Sequence, residues 1–136
     1  MLDDDDVPSW ILDGLRSICA QLPHAYEEPA WVGIRWRIRK RTFAHVRTLR
    51  PDQLAELGTV AEPDGVTTSI QFRAAGEEFH VLTSMGYPFY RAGWGTDVVN
   101  MEFTPTVDWS EIRELITESY RMLAPKGLVH LLDDCA

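Results

Sequence analysis

The spacing of apolar and polar positions changes along the chain, and each spacing predicts a different kind of element. Near the start, apolar residues recur at steps of four, three and four, which is typical of one buried face of a helix. These residues are Ile11, Leu15, Ile18 and Leu22. The helix is predicted to begin near Pro8 and Ser9, because aspartates precede this point and negative charge stabilises a helix N-terminus.

The following segment alternates with a period of two, which indicates a β-strand with one buried face. The apolar set, predicted to enter the core, is Ile34, Trp36 and Ile38. The set predicted on the opposite face is Arg35, Arg37 and Arg39. The chain is then predicted to turn at residues 39–41, so that the segment TFAHVRTL returns as a second strand of a hairpin.

The middle of the chain predicts two further helices and two further strands. PDQLAELG is predicted as a short helix, and VTTSIQF as a strand whose apolar members are Val66, Ile70 and Phe72. GEEFHVLTSMG predicts a helix that ends at a glycine, with an apolar face formed by Phe79, Leu82 and Met85. TDVVNMEF predicts another strand. HAYEEPA and GYPFYRAGWG are predicted as connections.

The last part of the chain has the clearest helix signals. Asp108 and Glu111 form a variant of the capping box, and Pro125 is predicted to stop the helix. Its buried face is predicted to be Ile112, Leu115, Ile116, Ser119 and Leu123. KGLVHLLDD predicts a final helix. The order of elements predicts an α+β fold with a mostly antiparallel sheet of four or five strands packed against helices. We expect residues 1–136 to form one domain, with residues 1–7 as a flexible acidic N-terminus.

Charge is unevenly distributed in this acidic chain. The formal net charge is -8, yet residues 35–50 contain seven Arg or Lys and no Asp or Glu. The acidic balance opposes indiscriminate coating of nucleic acid, whereas the local basic run favours a restricted contact. The acidic start lacks the features of a secretory leader, and no apolar run is long enough to cross a bilayer. We therefore predict a cytoplasmic protein with no membrane partner and with two free cysteines.

Three segments together resemble one family. They are AYEEPAWVGIRWRIRKRTFAHV, PFYRAGWGTDVVNMEF and DWSEIRELITESYRMLAPKGL, and they resemble the MmcQ/YjbR family over roughly residues 9–130. The resemblance implies a frataxin-like (CyaY-like) α+β fold, described as a double-wing arrangement, and DNA binding. Some members carry His, Asn and Lys before a tryptophan in the later loop. This chain has YRAGWGTD there, so no role of those residues carries over.

The candidate nucleic-acid-binding residues are Arg35, Arg37, Arg39, Lys40, Arg41 and Trp94. The arginines provide cations at a spacing of about 7 Å along one strand face, and an aromatic ring stacks on bases. Trp31 is the alternative stacking residue, and Arg47 and Arg50 extend the charge. Under the competing interpretation, the basic run is a solvated face whose charges pair with Glu27 and Glu28.

A second functional hypothesis is a binding domain for a protein or a small ligand, with a pocket between loops 26–31 and 90–96. We expect no enzyme activity and no cofactor, because no catalytic motif is visible and the histidines lack metal-ligand spacing. We also expect no metal site, since the run Asp3–Asp6 is typical of a solvated terminus. The predicted partner is DNA, with RNA as an alternative, and the predicted state is a monomer.

Overall fold

The computed structural model describes residues 7–49, 67–92, 95 and 97–135. The described helices are α1 (Ser9–Cys19), α2 (Gly76–Met85), α3 (Trp109–Leu123) and α4 (Lys126–Cys135). The described strands are β1 (Tyr26–Pro29), β2 (Ile34–Ile38), β3 (Arg41–Leu49), β4 (Thr67–Arg73), β5 (Phe89–Arg91) and β6 (Val98–Glu102). They form one antiparallel sheet in the order β1-β2-β3-β4-β6-β5. The predicted α+β fold is confirmed, with six strands in place of the expected four or five.

One face of the sheet packs against α1 and α3 to form the core. The predicted apolar set of β2 is confirmed, since each of the three side chains is at most 2% exposed. A row of paired apolar residues continues this face across the sheet, namely Ile34, Val46, Ile70, Met101 and Phe89. The predicted stripe of α1 is buried in the same core. We call this face of the sheet the helical face.

A β-bulge adapts β3 to the helix that covers it. Trp36 pairs with Ala44 and Arg37 with Thr42, which leaves Phe43 as the extra residue. The Phe43 ring packs edge to face on Tyr120 of α3, with 5.5 Å between ring centroids. The bulge therefore buries two consecutive residues of β3 without changing the face on which the arginines of β2 lie.

Two hydrogen bonds explain why the polar residue Ser119 lies in the buried stripe of α3. Its hydroxyl donates to the carbonyl oxygen of Phe43 at 2.6 Å and accepts from the backbone N–H of Arg73 at 2.8 Å. The predicted cap of this helix is also present, because the Asp108 carboxylate accepts from the backbone N–H of Ser110 at 2.9 Å. The serine thus fixes α3 against two neighbouring strands.

Two apolar positions differ from their predicted burial. Leu115 is only partly buried at the margin of the core, whereas the other predicted members of its stripe are buried. Met85 is 60% exposed, although Phe79 and Leu82 of the same helix are buried as predicted. Met85 is the last residue of α2, and Gly86 turns the chain away there, so the side chain lies beyond the surface that the helix covers.

Two strands lie where connections were predicted. β1 forms from YEEP and lies at one edge of the sheet, and β5 forms from FYR at the other edge. The predicted helix at PDQLAELG and the acidic run Asp3–Asp6 lie outside the described residues. Among the helices that the structure describes, none is both long and apolar enough to cross a membrane.

Candidate nucleic-acid interface

A row of polar side chains crosses the face of the sheet that points away from α1 and α3. The paired residues of this row are Glu28, Arg35, His45, Gln71, Asn100 and Tyr90, one from each strand. Five of these residues lie next in sequence to a residue of the apolar row. Glu28 lies next to Pro29, which pairs with Ile34 and extends that row into β1. Because side chains alternate along a strand, the polar row lies on the opposite face. We call this face the polar face.

The middle of the polar face is buried although it is polar. Asn100 is 0% exposed and Gln71 is 9% exposed. The Asn100 side-chain oxygen accepts from Gln71 Nε2 and from Arg47 Nη2, each at 3.4 Å. Beside them, the Tyr90 hydroxyl donates to Ser69 Oγ at 2.8 Å. The side chains at the centre of this face therefore hold each other in place by hydrogen bonds.

A groove of about 620 Å³ runs over β2, β3 and β4 on the polar face. Its described lining residues are Ala30, Trp31, Val32, Arg35, Arg37, Lys40, Arg41, Thr42, His45, Arg47, Gln71 and Arg73. Six Lys and Arg residues are among the described lining residues. No Asp or Glu is among the described lining residues. We call it the basic groove.

Part of this positive charge is already paired. Glu28 accepts from Arg35 Nε at 2.7 Å and from Arg37 Nη1 at 3.1 Å. The hydrogen bond from Arg35 is the main reason why the pKa of the Glu28 carboxyl lies below its ordinary value. Arg73 pairs with Asp97 at 3.1 Å. The interpretation of a solvated, paired face is thus correct for Arg35 and Arg37 with Glu28, whereas Glu27 pairs with Arg16 of α1.

Three cations of the basic groove form no ion pair with the residues that the structure describes: Lys40, Arg41 and Arg47. Lys40 and Arg41 are exposed at the β2–β3 turn. Arg47 is half-buried, and burial lowers the pKa of its guanidinium. Its Nε is buried and has no hydrogen-bond acceptor among the residues that the structure describes. The groove therefore contains positive charge that the described residues leave uncompensated.

His45 lies beside these cations in a neutral form. Its Nε2 is 2.6 Å from the carbonyl oxygen of Val32, and a carbonyl only accepts, so Nε2 carries the proton. Burial lowers the pKa of this imidazole, and the charges of Arg47 and Arg35 lower it further, although the hydrogen bond to Val32 opposes them. The unprotonated Nδ1 can therefore accept a hydrogen bond.

Of the six predicted binding residues, four line the basic groove: Arg35, Arg37, Lys40 and Arg41. The predicted position of Arg39 on the same strand face is wrong. β2 ends at Ile38, and Arg39 lies in the turn with φ of 59°, because the chain must reverse within two residues. Its side chain is exposed, and its carbonyl oxygen accepts from the Tyr26 hydroxyl.

The tryptophans have different positions. Trp36 is buried on the helical face, as predicted. Trp94 lies outside the described residues, so its predicted role stays a prediction. Trp31 lines the basic groove and is 97% exposed. Within the described part of the chain, Trp31 is therefore the aromatic residue that the basic groove presents to solvent.

The predicted pocket between loops 26–31 and 90–96 is not formed by the described residues. These segments adjoin β1 and β5, which are the two edge strands of the sheet. Five strand spacings separate the edges, or about 24 Å. Residues 26–31 contribute to the basic groove instead, through Ala30 and Trp31.

The basic groove also contains residues that were not predicted as site residues: His45, Gln71 and Arg73. Their signal was present in the alternation of the two strands: His45 lies between the apolar Ala44 and Val46, and Gln71 and Arg73 flank the apolar Phe72. That pattern shows which residues share a strand face. It does not show that β3 and β4 are neighbours or which residues pair.

No group of three or more His, Cys, Asp or Glu side chains in the described residues is arranged to hold a metal ion. Cys19 is a free thiol in the core, and burial raises its pKa far above the ordinary value. A thiol in this state is a poor nucleophile. Neither observation adds a reactive group to the basic groove.

Comparison with known proteins supports the same fold. A family model described as YjbR matches residues 20–122. No curated protein matches the chain. The crystal structure of Deinococcus radiodurans protein DR2400, which contains the family-model domain DUF419, is similar with a TM-score of 0.59 and 18% sequence identity. The similarity covers 85% of this chain and 80% of that chain, and at this identity it shows the fold alone.

Proposed function

The chain belongs to the YjbR family, and on this premise we propose that it binds nucleic acid through the basic groove, without catalysing a reaction. The observation that carries the proposal is the composition of that groove. It concentrates six Lys and Arg side chains, with no acid among its described lining residues, in a chain of net charge -8. A polyanion is attracted to such a surface and repelled by the acidic remainder.

The cations divide into two groups according to their pairing. Lys40, Arg41 and Arg47 form no ion pair with described residues, so they are available to neutralise phosphates. Arg35 and Arg37 are held by Glu28 and must exchange a carboxylate for a phosphate. We therefore assign most of the binding energy to the first group. The second group adds a smaller contribution, because its gain is offset by the loss of an existing pair.

The experiment is a titration of labelled DNA and RNA oligonucleotides at two salt concentrations, with wild type and the double variant Lys40→Gln/Arg41→Gln. Each phosphate contact contributes a slope of about 0.9 in log affinity against log salt on duplex DNA and about 0.7 on single strands. The double variant is expected to lower the slope by about 1.4 to 1.8 and to weaken binding equally for unrelated sequences.

The matched control is Arg113→Gln/Lys126→Gln, which removes the same charge from exposed positions of α3 and α4 outside the groove. Its slope is expected to equal that of wild type. Equal losses in both double variants would mean that net charge, and not the groove, governs binding. Absence of wild-type binding at low salt would contradict the proposed function itself.

A small phosphorylated ligand is the second candidate, and Arg47 favours it. A half-buried guanidinium without an ion pair among the described residues, next to a buried amide network, suits one fixed anion better than a mobile chain. The volume of about 620 Å³ also lies within the range of small-molecule sites. Affinity that increases with oligonucleotide length would support the polymer. Affinity for a mononucleotide equal to that for the polymer would support the small ligand.

A further inference from the structure

Trp31 occupies a position that the fold itself does not require. It lies in the turn between β1 and β2 and is 97% exposed. No hydrogen bond or ring contact joins its indole to any residue that the structure describes. Tryptophan is a residue that proteins normally bury in large part. An indole in full contact with water, at the end of a basic groove, is available for contact with a ligand that lies in the groove.

The backbone that carries Trp31 is held firmly. The Ala30 N–H donates to the Gly33 carbonyl oxygen at 3.0 Å, and the Val32 carbonyl oxygen accepts from His45 of β3. Gly33 has φ of 78°, and a Cβ there would lie 1.9 Å from the Val46 carbonyl oxygen. The turn is thus pressed against β3 at a position where only glycine fits. A ring mounted on a fixed turn loses little conformational entropy when a ligand stacks on it.

The basic groove extends from this ring toward the opposite end of β2. Lys40 and Arg41 lie at that far end, and Arg47 lines the groove on β3. The strand between the two turns covers about 13 Å, so a stretch of only a few nucleotides is long enough to span the groove. A short stretch of backbone lying along the cations would bring one of its bases to the indole.

We propose that the basic groove binds single-stranded nucleic acid, with phosphates along Lys40, Arg41 and Arg47 and one unpaired base stacked on Trp31. This inference rests on the proposed function and specifies its substrate. The base faces of a duplex are occupied by neighbouring base pairs, so an indole at the surface cannot stack on them. An unpaired strand offers free faces of every base, and such stacking tolerates different sequences.

The test compares one labelled sequence as single-stranded DNA, as single-stranded RNA and as a duplex with its complement. Binding is measured for wild type, Trp31→Ala and Trp31→Phe. Wild type is expected to prefer both single strands. Trp31→Ala should weaken single-strand binding by roughly 5- to 150-fold and leave duplex binding within about twofold. Trp31→Phe should retain most of the affinity, because phenylalanine also stacks.

The control is Met85→Ala, which removes an exposed apolar side chain on α2 that does not line the basic groove. It should bind as wild type does, and all variants should melt at the wild-type temperature because both side chains are exposed. Equal loss of single-strand and duplex binding in Trp31→Ala, or unchanged single-strand binding, would overturn the stacking role while leaving the groove intact. Absence of binding to any oligonucleotide would overturn the proposed function and this inference together.

Discussion

The two faces of the sheet differ in chemistry on every strand, although each strand contributes neighbouring residues to both faces. The row on the helical face is Pro29, Ile34, Val46, Ile70, Met101 and Phe89. The row on the polar face is Glu28, Arg35, His45, Gln71, Asn100 and Tyr90. The first packs under helices, apart from Pro29, which is exposed at the edge of the sheet. The second carries charges and amides, even where it is buried.

The helical face provides most of the stability of the fold, whereas the proposed function assigns recognition to the polar face. Burial of apolar surface stabilises the fold by about 25 cal/mol per Å², and the helical face provides most of that surface. On the polar face, three buried donors have no acceptor within the described part of the chain: Arg37 Nε, Arg47 Nε and Asn100 Nδ2. Such a group costs about 1–3 kcal/mol. These groups lower the stability of the fold, so the polar face does not stabilise it as the helical face does.

The strongest test of this separation substitutes two neighbouring residues on opposite faces. Ile70→Ala should lower the free energy of unfolding by about 2–5 kcal/mol, because it leaves a cavity in the core. Gln71→Ala should lower it by only about 1 kcal/mol, since it loses one long hydrogen bond to Asn100. Urea denaturation of both variants measures the contrast. Similar losses would show that the polar face is as important for stability as the helical face.

Arg47→Met should make the free protein more stable and a poorer binder. The substitution removes a half-buried charge that has no ion pair among described residues and keeps a side chain of similar length. We expect a gain of about 1 kcal/mol in the free energy of unfolding, because apolar replacement of buried charge is often stabilising. Arg113→Met, at an exposed position, should change stability by less than about 0.5 kcal/mol. Lower stability in Arg47→Met would assign this arginine a structural role.

Stability should fall as the pH decreases below about 6.5, and His45 should account for part of that change. Its folded pKa is lowered by burial first, so below the unfolded pKa of about 6.5 the unfolded chain binds a proton that the folded chain does not. The loss is at most about 1.4 kcal/mol per pH unit and ends at the folded pKa. Urea denaturation at pH 7 and 5.5 should show a smaller difference for His45→Gln than for wild type.

The control for this pH effect is His80→Gln, which replaces an exposed histidine on α2. Its pH dependence should equal that of wild type. If His45→Gln retained the full pH dependence, other groups would be responsible for it, and the neutral form of His45 would not contribute to stability.

The smallest effect on stability is expected for the three arginines Arg35, Arg37 and Arg39. Arg35→Ala, Arg37→Ala and Arg39→Ala should each change the free energy of unfolding by less than about 1 kcal/mol, because partly exposed ion pairs contribute little. Thermal melting of the triple variant measures this. Loss of folding would show that these side chains are part of the structural framework.

Glu28→Gln tests whether the arginines paired with Glu28 contact the ligand. It removes the carboxylate that competes with phosphate for Arg35 and Arg37. Nucleic-acid affinity should therefore rise, by up to about fivefold, and the salt dependence should become steeper. Glu27→Gln is the control, because Glu27 pairs with Arg16 outside the groove. Unchanged affinity in Glu28→Gln would mean that the paired arginines do not contact the ligand.

The sequence predicted those helices and strands whose hydrophobic pattern or capping residue is complete within the element itself. Alternation along β2 identified its buried residues, and the capping residue Asp108 identified the start of α3. β1 was predicted as a connection because two glutamates and a proline are unfavourable for a strand. An edge strand tolerates them, since one of its sides has no partner. β5 was not predicted because a strand of three residues is too short to show a period of two.

The sequence by itself determined which side chains of each strand share a face, because alternation is a property of the extended backbone. It thereby separated Ile34 from Arg35 and placed most of the basic run away from the core. Only the tertiary structure decided which faces meet. Register brought His45, Gln71 and Asn100 into one row, and the turn removed Arg39 from the strand face. Strand order depends on contacts between residues far apart in the chain, so no local pattern encodes it.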